Sequence, residues 1–219
     1  MSLIEVTDLH RHYGQVKALN GVSLKLEEGA QYAIQGSSGC GKSTLLYLLG
    51  GLDRPTSGEI LIQGKNLNSL TDDGLAEYRN RWVGFVFQFH FLLPSMTGLE
   101  NILLPARIGG HREADIVKYA KKYSEELGVE HCLSKFPYEL SGGEQQRINI
   151  IRALSLRPRL ILCDEPTGNL DSENSTKVSL MLKRLAEEQG STLLVVSHDP
   201  NVVSMFESVY RMKDGQFEN

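Results

Sequence analysis

A chain of 219 residues, 41% hydrophobic and 23% charged, can bury a sizeable core as one domain or as a domain with a subdomain. Its net charge of -4 offers no basic surface for nucleic acid, and no apolar run approaches the ~20 residues that a membrane helix needs. Three scattered cysteines, Cys40, Cys132 and Cys163, in no CxxC spacing argue for reduced thiols rather than a disulfide or zinc framework, and the N-terminus lacks a signal-peptide pattern.

Alternating residues predict a strand over Leu3–Leu9 and another over Val16–Leu26, with turns at Asn20-Gly21 and Glu28-Gly29. Gln31–Gln35 is a short strand that runs into the glycine-rich stretch GSSGCGKS. The apolar segment STLLYLLGG predicts a buried helix stopped by Gly50-Gly51. Glu59–Gln63 predicts a strand, Asp72–Arg81 an amphipathic helix and Val83–Phe87 an apolar strand. Gly98–Ile108, Glu113–Leu127 and Gly143–Leu156 predict three helices in succession with no strand between them. Leu160–Cys163 and Thr192–Ser197 predict buried strands flanking a long helix, Glu173–Gln189. A short helix and a hairpin over SVYRMKDGQF close the chain. Strands alternating with helices imply an α/β fold with a parallel sheet, interrupted by a helical block.

The spacing GxxxxGK[ST] is met at Gly36, Gly41, Lys42 and Ser43, after a predicted strand and before a predicted helix. Glycines let backbone N–H groups turn toward phosphates, and the helix N-terminus adds positive potential. Lys42 would reach the outer phosphates, the Ser43 hydroxyl would ligate Mg²⁺ and Thr44 would cap beside it, with Ser37, Ser38, Gly39 and Cys40 completing the loop. Such a loop needs a carboxylate across the site, and the apolar strand LILC ends on Asp164-Glu165. Asp164 would hold Mg²⁺ and Glu165 would polarise the attacking water. Gln88 ends the strand FVFQ, where its oxygen would touch Mg²⁺ and the water, and His198 ends LLVVS, where it would reach a γ-phosphate.

The order of these motifs resembles the nucleotide-binding domain of ABC transporters, and the resemblance covers nearly the whole chain. GSSGCGKST matches the family's Walker A loop, LILCDE its Walker B strand, Gln88 its Q-loop and His198 its switch histidine. LSGGEQQR, Leu140 to Arg147, matches the signature, its most specific element, and Asn169 to Asp171 match the D-loop. Tyr13 matches the aromatic position that stacks on adenine. The resemblance implies a P-loop NTPase with a mixed, mostly parallel sheet, an N-terminal antiparallel β subdomain and an inserted all-helical subdomain. The single ABC ATPase domain over residues 1–219 would divide into a catalytic core, 1–88 and 159–219, and a helical subdomain, 89–158, carrying the signature. It also implies a head-to-tail homodimer in which Ser141, Gly142, Gly143 and Glu144 of one copy meet the ATP held by the other. Asp171 would belong to the same contact. The helical block would touch an integral membrane permease, at the cytoplasmic face of the cell's inner membrane.

The stretches FQFHFLLPSMTGLEN, LLGGLDRPTSGEI and DEPTGNLD resemble the lipoprotein-releasing ATPases and the allied macrolide-exporter and cell-division ATPases. In those systems the ATPase is a separate chain beside a four-helix permease with a large outer domain, so this chain is expected to act as a stand-alone subunit. The cargo would be a lipoprotein, or else a peptide, drug or haem. The alternatives are mechanical signalling in cell division and, more remotely, a soluble ABC ATPase acting on DNA or ribosomes. Phe89, Phe91, Leu92 and Leu93 fall in a loop past their strand and suggest an interface, whereas Phe85 and Phe87 read as core. Asn149 and Ile151 stand where relatives usually carry small residues, so their helix is expected to pack differently.

Overall fold

The computed structural model describes residues 2–168 and 170–218. An antiparallel sheet is built from β1 (Ser2–Tyr13), β2 (Val16–Glu27), β4 (Ser57–Ile62) and β5 (Lys65–Asn66), in the order β2-β1-β4-β5. A second sheet has the order β10-β9-β3-β8-β7-β6, from β3 (Gln31–Gln35), β6 (Val83–Phe87), β7 (Leu160–Asp164), β8 (Thr192–Ser197), β9 (Ser208–Lys213) and β10 (Gln216–Phe217). All of its pairs are parallel except the terminal β9–β10 hairpin.

The first two strands are longer than their alternation predicts. They form one hairpin, closed by Gly14-Gln15 between the paired residues Tyr13 and Val16. The dipeptide Asn20-Gly21 is not a turn. It sits inside β2 at a register slip, where Leu9 opposes Val22 but His10 opposes Asn20, and Gly21 takes the positive φ of 84° that such a bulge uses. An Asn-Gly pair reads as a turn locally, but here β2 runs on past it, with Gly21 left as the unpaired extra residue of a bulge opposite β1.

Side chains alternate across the parallel sheet, and both faces are covered. Ile34, Leu162, Leu194 and Val196 face α1 (Lys42–Leu49), α2 (Asp72–Trp82) and the antiparallel sheet. Ala33, Val86, Ile161, Cys163 and Val195 face the other way. They share one core with α3 (Gly98–Gly109), α4 (Glu113–Glu126), α5 (Gly142–Leu154), α6 (Ser172–Gln189) and α7 (Pro200–Val203). Strands buried on both faces are why β7 and β8 read as continuous apolar runs.

Between β6 and β7 the described residues hold α3, α4 and α5 and no strand. The C-terminal end of α5 packs so tightly on β6 that a Cβ at Gly84 would drive into the carbonyl oxygen of Ala153. Asn149 and Ile151 are both fully buried in α5. The amide of Asn149 donates to Gln146 Oε1 (3.3 Å), and its oxygen accepts from the Arg152 guanidinium (2.8 Å), so the larger polar side chain is absorbed by a hydrogen-bonded set.

Candidate functional site

The register brings four strands to a common end. Gln35 lies opposite Ser197, Asp164 opposite Val196 and Phe87 opposite Asp164. The segments that follow them carry the phosphate loop, Gln88, the Asp164-Glu165 pair and His198. The carboxyl edge of a parallel sheet is where such folds take ligands. A cavity of about 870 Å³ opens there, lined by Ser37, Ser38, Gly39, Gly41, Lys42, Ser43 and Thr44 and, across from them, by Gln88, Asp164, Glu165 and His198.

The loop is shaped by glycines that nothing else could replace. Gly41 is at φ 107°, and a Cβ there would drive into the carbonyl oxygen of Ala18. A Cβ at Gly36 would strike the carbonyl oxygen of Met212. Lys42 is buried and its ammonium donates to the carbonyls of Gly36 (2.8 Å) and Ser37 (2.8 Å), curling the chain around the lysine. No side chain caps α1, so the N–H groups of its first turn are left for a ligand. Thr44 lines the cavity but makes no cap. Gly36 and Cys40 shape the loop from behind and do not line the cavity. The Cys40 thiol is buried, 3.9 Å from the Lys42 nitrogen.

Across the cavity the Ser43 hydroxyl donates to Asp164 Oδ1 (2.9 Å), and the Tyr47 hydroxyl lies 3.4 Å from Oδ2. Burial raises the Asp164 carboxyl above its ordinary value, and the neighbouring charge of Glu165 adds to the rise; the Ser43 bond opposes it. Glu165 is held in a left-handed backbone (φ 48°) by its N–H bond to the Val196 carbonyl (3.0 Å). Its Oε1 lies 2.8 Å from His198 Nδ1, and its Oε2 accepts from the His198 N–H (3.3 Å). A carboxylate fixed on two sides by one residue is positioned before any substrate arrives. Gln88 packs against Gly168, where a Cβ would crowd its amide nitrogen at 2.9 Å.

Tyr13 is not on the cavity wall. Its hydroxyl donates to Asp53 (2.6 Å), the Arg11 guanidinium lies 4.4 Å from the ring centroid, and the residue is 46% exposed. Arg11 itself forms a two-pronged pair with Asp53, at 2.8 Å for each bond. The cavity is lined at that end by Val16, Lys17 and Ala18 of β2.

Ser141, Gly142, Gly143 and Glu144 lie elsewhere, at the start of α5, and none lines this cavity. Ser141 caps the helix: its backbone N–H and hydroxyl donate to Glu144 Oε2 (2.8 and 2.6 Å), and its oxygen accepts from the Glu144 N–H (3.4 Å). These bonds pull the Glu144 carboxyl down from its ordinary 4.5 to about 2. A Cβ at Gly142 would meet nothing, and one at Gly143 only the tip of Arg147. Packing within this chain therefore does not require these glycines. Asp171 caps α6 through the Asn174 N–H (2.9 Å); Asn169 lies outside the described residues.

Sequence reasoning missed three supports. The turn Asp214-Gly215 lines the cavity and braces the loop, with the Gly215 N–H on the Cys40 carbonyl (3.0 Å). Gln146, buried in α5, donates to the carbonyl of Pro166, next to Glu165, and accepts at His90 Nδ1 (2.6 Å). Arg152 donates to the carbonyls of His90 and Phe91 (2.8 Å each). A chain of rings continues outward from Tyr47 to Phe87 (centroids 6.5 Å), Phe91 (5.3 Å) and Phe89 (6.3 Å). Phe89 and Phe91 are 64% and 63% exposed, while Leu92 packs on the core. Phe85 and Phe87, expected in the core, are half-buried: Phe85 packs against the core and closes on Gly50, and both line a groove of about 370 Å³ with Leu104, Ile108, Ala153 and Leu156.

A phosphate loop set against an acidic strand end, with a second glycine helix standing apart on a helical block, defines an ATPase cassette. The chain belongs to the ABC transporter family, which it matches over residues 19–168, and it hydrolyses ATP in the service of transport. It is 46% identical over 219 residues to the lipoprotein-releasing system ATP-binding protein LolD of Geobacter metallireducens, a match covering 98% of this chain and 97% of that one. It is 44% identical to LolD of Bdellovibrio bacteriovorus, over 99% of this chain and all of the relative. Among solved structures, the dimeric post-hydrolysis state of the ATP-binding cassette MJ0796 bound to ADP and Pi superposes with a TM-score of 0.90 at 38% identity, covering 99% of this chain and 97% of that one. The cassette cbiO1 of Clostridium perfringens, part of the cbiONQ transporter complex, gives 0.89 at 28% identity, covering 100% of this chain and 87% of that one.

Proposed function

We propose that the chain is the ATPase subunit of a lipoprotein-releasing ABC transporter, and that two copies close head to tail on two ATP molecules. The observation that carries this reading is the pairing of a complete phosphate cavity with an open glycine helix that does not line it. An uncapped α1 and the α5 start both present N–H groups and a positive helix end, which suit phosphate. Only a second copy brings the two together. The MJ0796 cassette, dimeric and bound to ADP and Pi, supports pairing of two copies in a nucleotide-bound state.

In this reading Lys42 and the loop N–H groups hold the outer phosphates, and Val16, Lys17 and Ala18 bound the nucleoside end. A water attacks the γ-phosphorus as the bond to the bridging oxygen of ADP breaks. Glu165 accepts the water's proton, and His198 holds that carboxylate in line. Hydroxyl, carboxylate and amide oxygens of Ser43, Asp164 and Gln88 suit Mg²⁺, a cation that takes hard oxygen ligands; the existing Ser43–Asp164 bond is consistent with such a donor set. When bound, Mg²⁺ would neutralise charge on the β- and γ-phosphate oxygens. Tyr13 would have to leave Asp53 to stack on a base.

Residues 89–158 then act as a helical subdomain against a core of 1–88 and 159–219. The groove beside Phe85, Phe87 and Ile108, together with the exposed Phe91 and Phe89 that continue the ring contacts from Phe87, suits an apolar element of a membrane permease. Among the described residues no helix is long and apolar enough to cross a membrane, which suits a subunit held at the cytoplasmic face by that partner. Affinity purification from detergent-solubilised membranes of the source cell, with ATP and Mg²⁺, tests the reading. Recovery of a four-helix permease with a large outer domain is expected. Recovery of soluble partners alone would overturn the permease assignment and leave the ATPase standing.

A further inference from the structure

The turn that precedes the glycine helix brings two side chains the ATPase reading does not use, His131 and Cys132, up to Glu144 of that helix. His131 Nε2 lies 2.6 Å from Glu144 Oε1 and 3.4 Å from Cys132 Sγ, and one donor atom from each of the three residues falls within 4.8 Å of the others. Imidazole, thiolate and carboxylate form a ligand set suited to Zn²⁺. We propose that His131, Cys132 and Glu144 form a binding site for a Zn²⁺-class divalent ion that ties the 130–132 turn to the first turn of α5.

The geometry is close to what the ion needs. Zn–N near 2.1 Å and Zn–S near 2.3 Å at a tetrahedral angle separate nitrogen and sulfur by about 3.5 Å, and they stand 3.4 Å apart. Nitrogen and carboxylate oxygen should stand about 3.3 Å apart, so Oε1 must swing outward by about 0.7 Å from its present 2.6 Å. It can do so about Oε2, which is anchored separately to the Ser141 N–H and hydroxyl. The Cys132 thiol is buried, while the His131 side chain is 53% exposed and gives the ion a route in. Binding releases the thiol proton to solvent, and the Nε2 hydrogen that now faces Glu144 must leave that nitrogen, by transfer to Nδ1 or release to solvent, before Nε2 can ligate the ion. Water would take the fourth position. The sequence alone hid this set because no CxxC or HxxxH spacing marks it; Glu144 arrives from twelve residues downstream of Cys132 through the fold.

The test is a Co²⁺ titration of the nucleotide-free full chain after chelator treatment, followed by Zn²⁺ displacement. The expected result is one equivalent of Co²⁺ with a thiolate-to-cobalt absorption band, bleached by Zn²⁺, and absent in Cys132→Ser. His131→Gln, whose amide can still donate to Glu144, should keep its circular dichroism and bind more than about 100-fold more weakly, beyond the effect of losing a supporting hydrogen bond alone. It decides the matter should Cys132→Ser fail to fold. No thiolate band in the wild type, a band that survives Cys132→Ser, or an affinity that His131→Gln leaves unchanged would overturn the proposal and leave the trio as a hydrogen-bonded helix cap.

Discussion

Replacing Arg152 by Met probes the support that links α5 to the loop after Gln88. The guanidinium donates 2.8 Å bonds to the carbonyls of His90 and Phe91 and to Asn149 Oδ1. Phe91 sits at φ 47°, a left-handed conformation that costs a non-glycine residue about 1–2 kcal/mol and persists only where neighbours hold it. Hydrogen bonds to a charged donor contribute about 1.5–3 kcal/mol each, but two offsets apply. The loop carbonyls can rehydrate, and burial has already pushed the Arg152 pKa down to about 10, a sign that the charge is poorly solvated. Methionine keeps the aliphatic stem and leaves little cavity. The net loss should therefore be about 1–2 kcal/mol of global stability in urea, with an unchanged slope. Amides of residues 89–93 should exchange roughly tenfold faster or more, since ~1.4 kcal/mol of local stability is a factor of ten. A stability change under about 0.5 kcal/mol with unaltered exchange would refute the claim that Arg152 holds this loop.

Lys42→Ala removes the ammonium that now bonds two loop carbonyls and would bind phosphate; ATP affinity should fall by roughly tenfold or more, read by equilibrium binding, and retained affinity would refute the phosphate role. The Glu144 carboxyl has a folded pKa near 2 against an ordinary 4.5, so its ionised form stabilises the fold above pH 4.5 and loses that contribution as pH falls toward 2. The stability difference between wild type and Glu144→Gln should accordingly be present at pH 4.5 and shrink as pH falls from there toward 2, and a difference independent of acid would contradict the cap. Glu165→Gln should bind ATP normally and lose turnover by about 10²–10⁴-fold, the scale of general-base catalysis; an unchanged rate would remove Glu165 from that role.

The phosphate loop was legible because its chemistry is local: glycine spacing, a lysine and a hydroxyl, set between a strand and a helix. Asp164, Glu165 and His198 were legible because buried parallel strands are continuous apolar runs, so the polar residue ending each run marks the carboxyl edge of the sheet. What depends on distant partners was not legible. The position of Tyr13 is decided by Asp53, forty residues away, and the bulge at Gly21 by the register of β1. The brace at Gly215 reaches the loop only through the order of strands around β3. Phe85 and Phe87 lie on a strand that reads as core, yet β6 is the edge of its sheet, so their rings open onto a groove. The Gln146–His90–Arg152 network needed α5 to be docked against the loop before any of its bonds could be seen.

In the proposed dimer, one copy's phosphate cavity is completed by the other copy's glycine helix. This completion is tested most directly by sedimentation of Glu165→Gln with ATP, alone and combined with Ser141→Arg. The single variant should sediment as a dimer and the double variant as a monomer that still binds ATP, because an arginine at the open start of α5 blocks closure without touching the cavity. A double variant that dimerises as readily as the single one would contradict it.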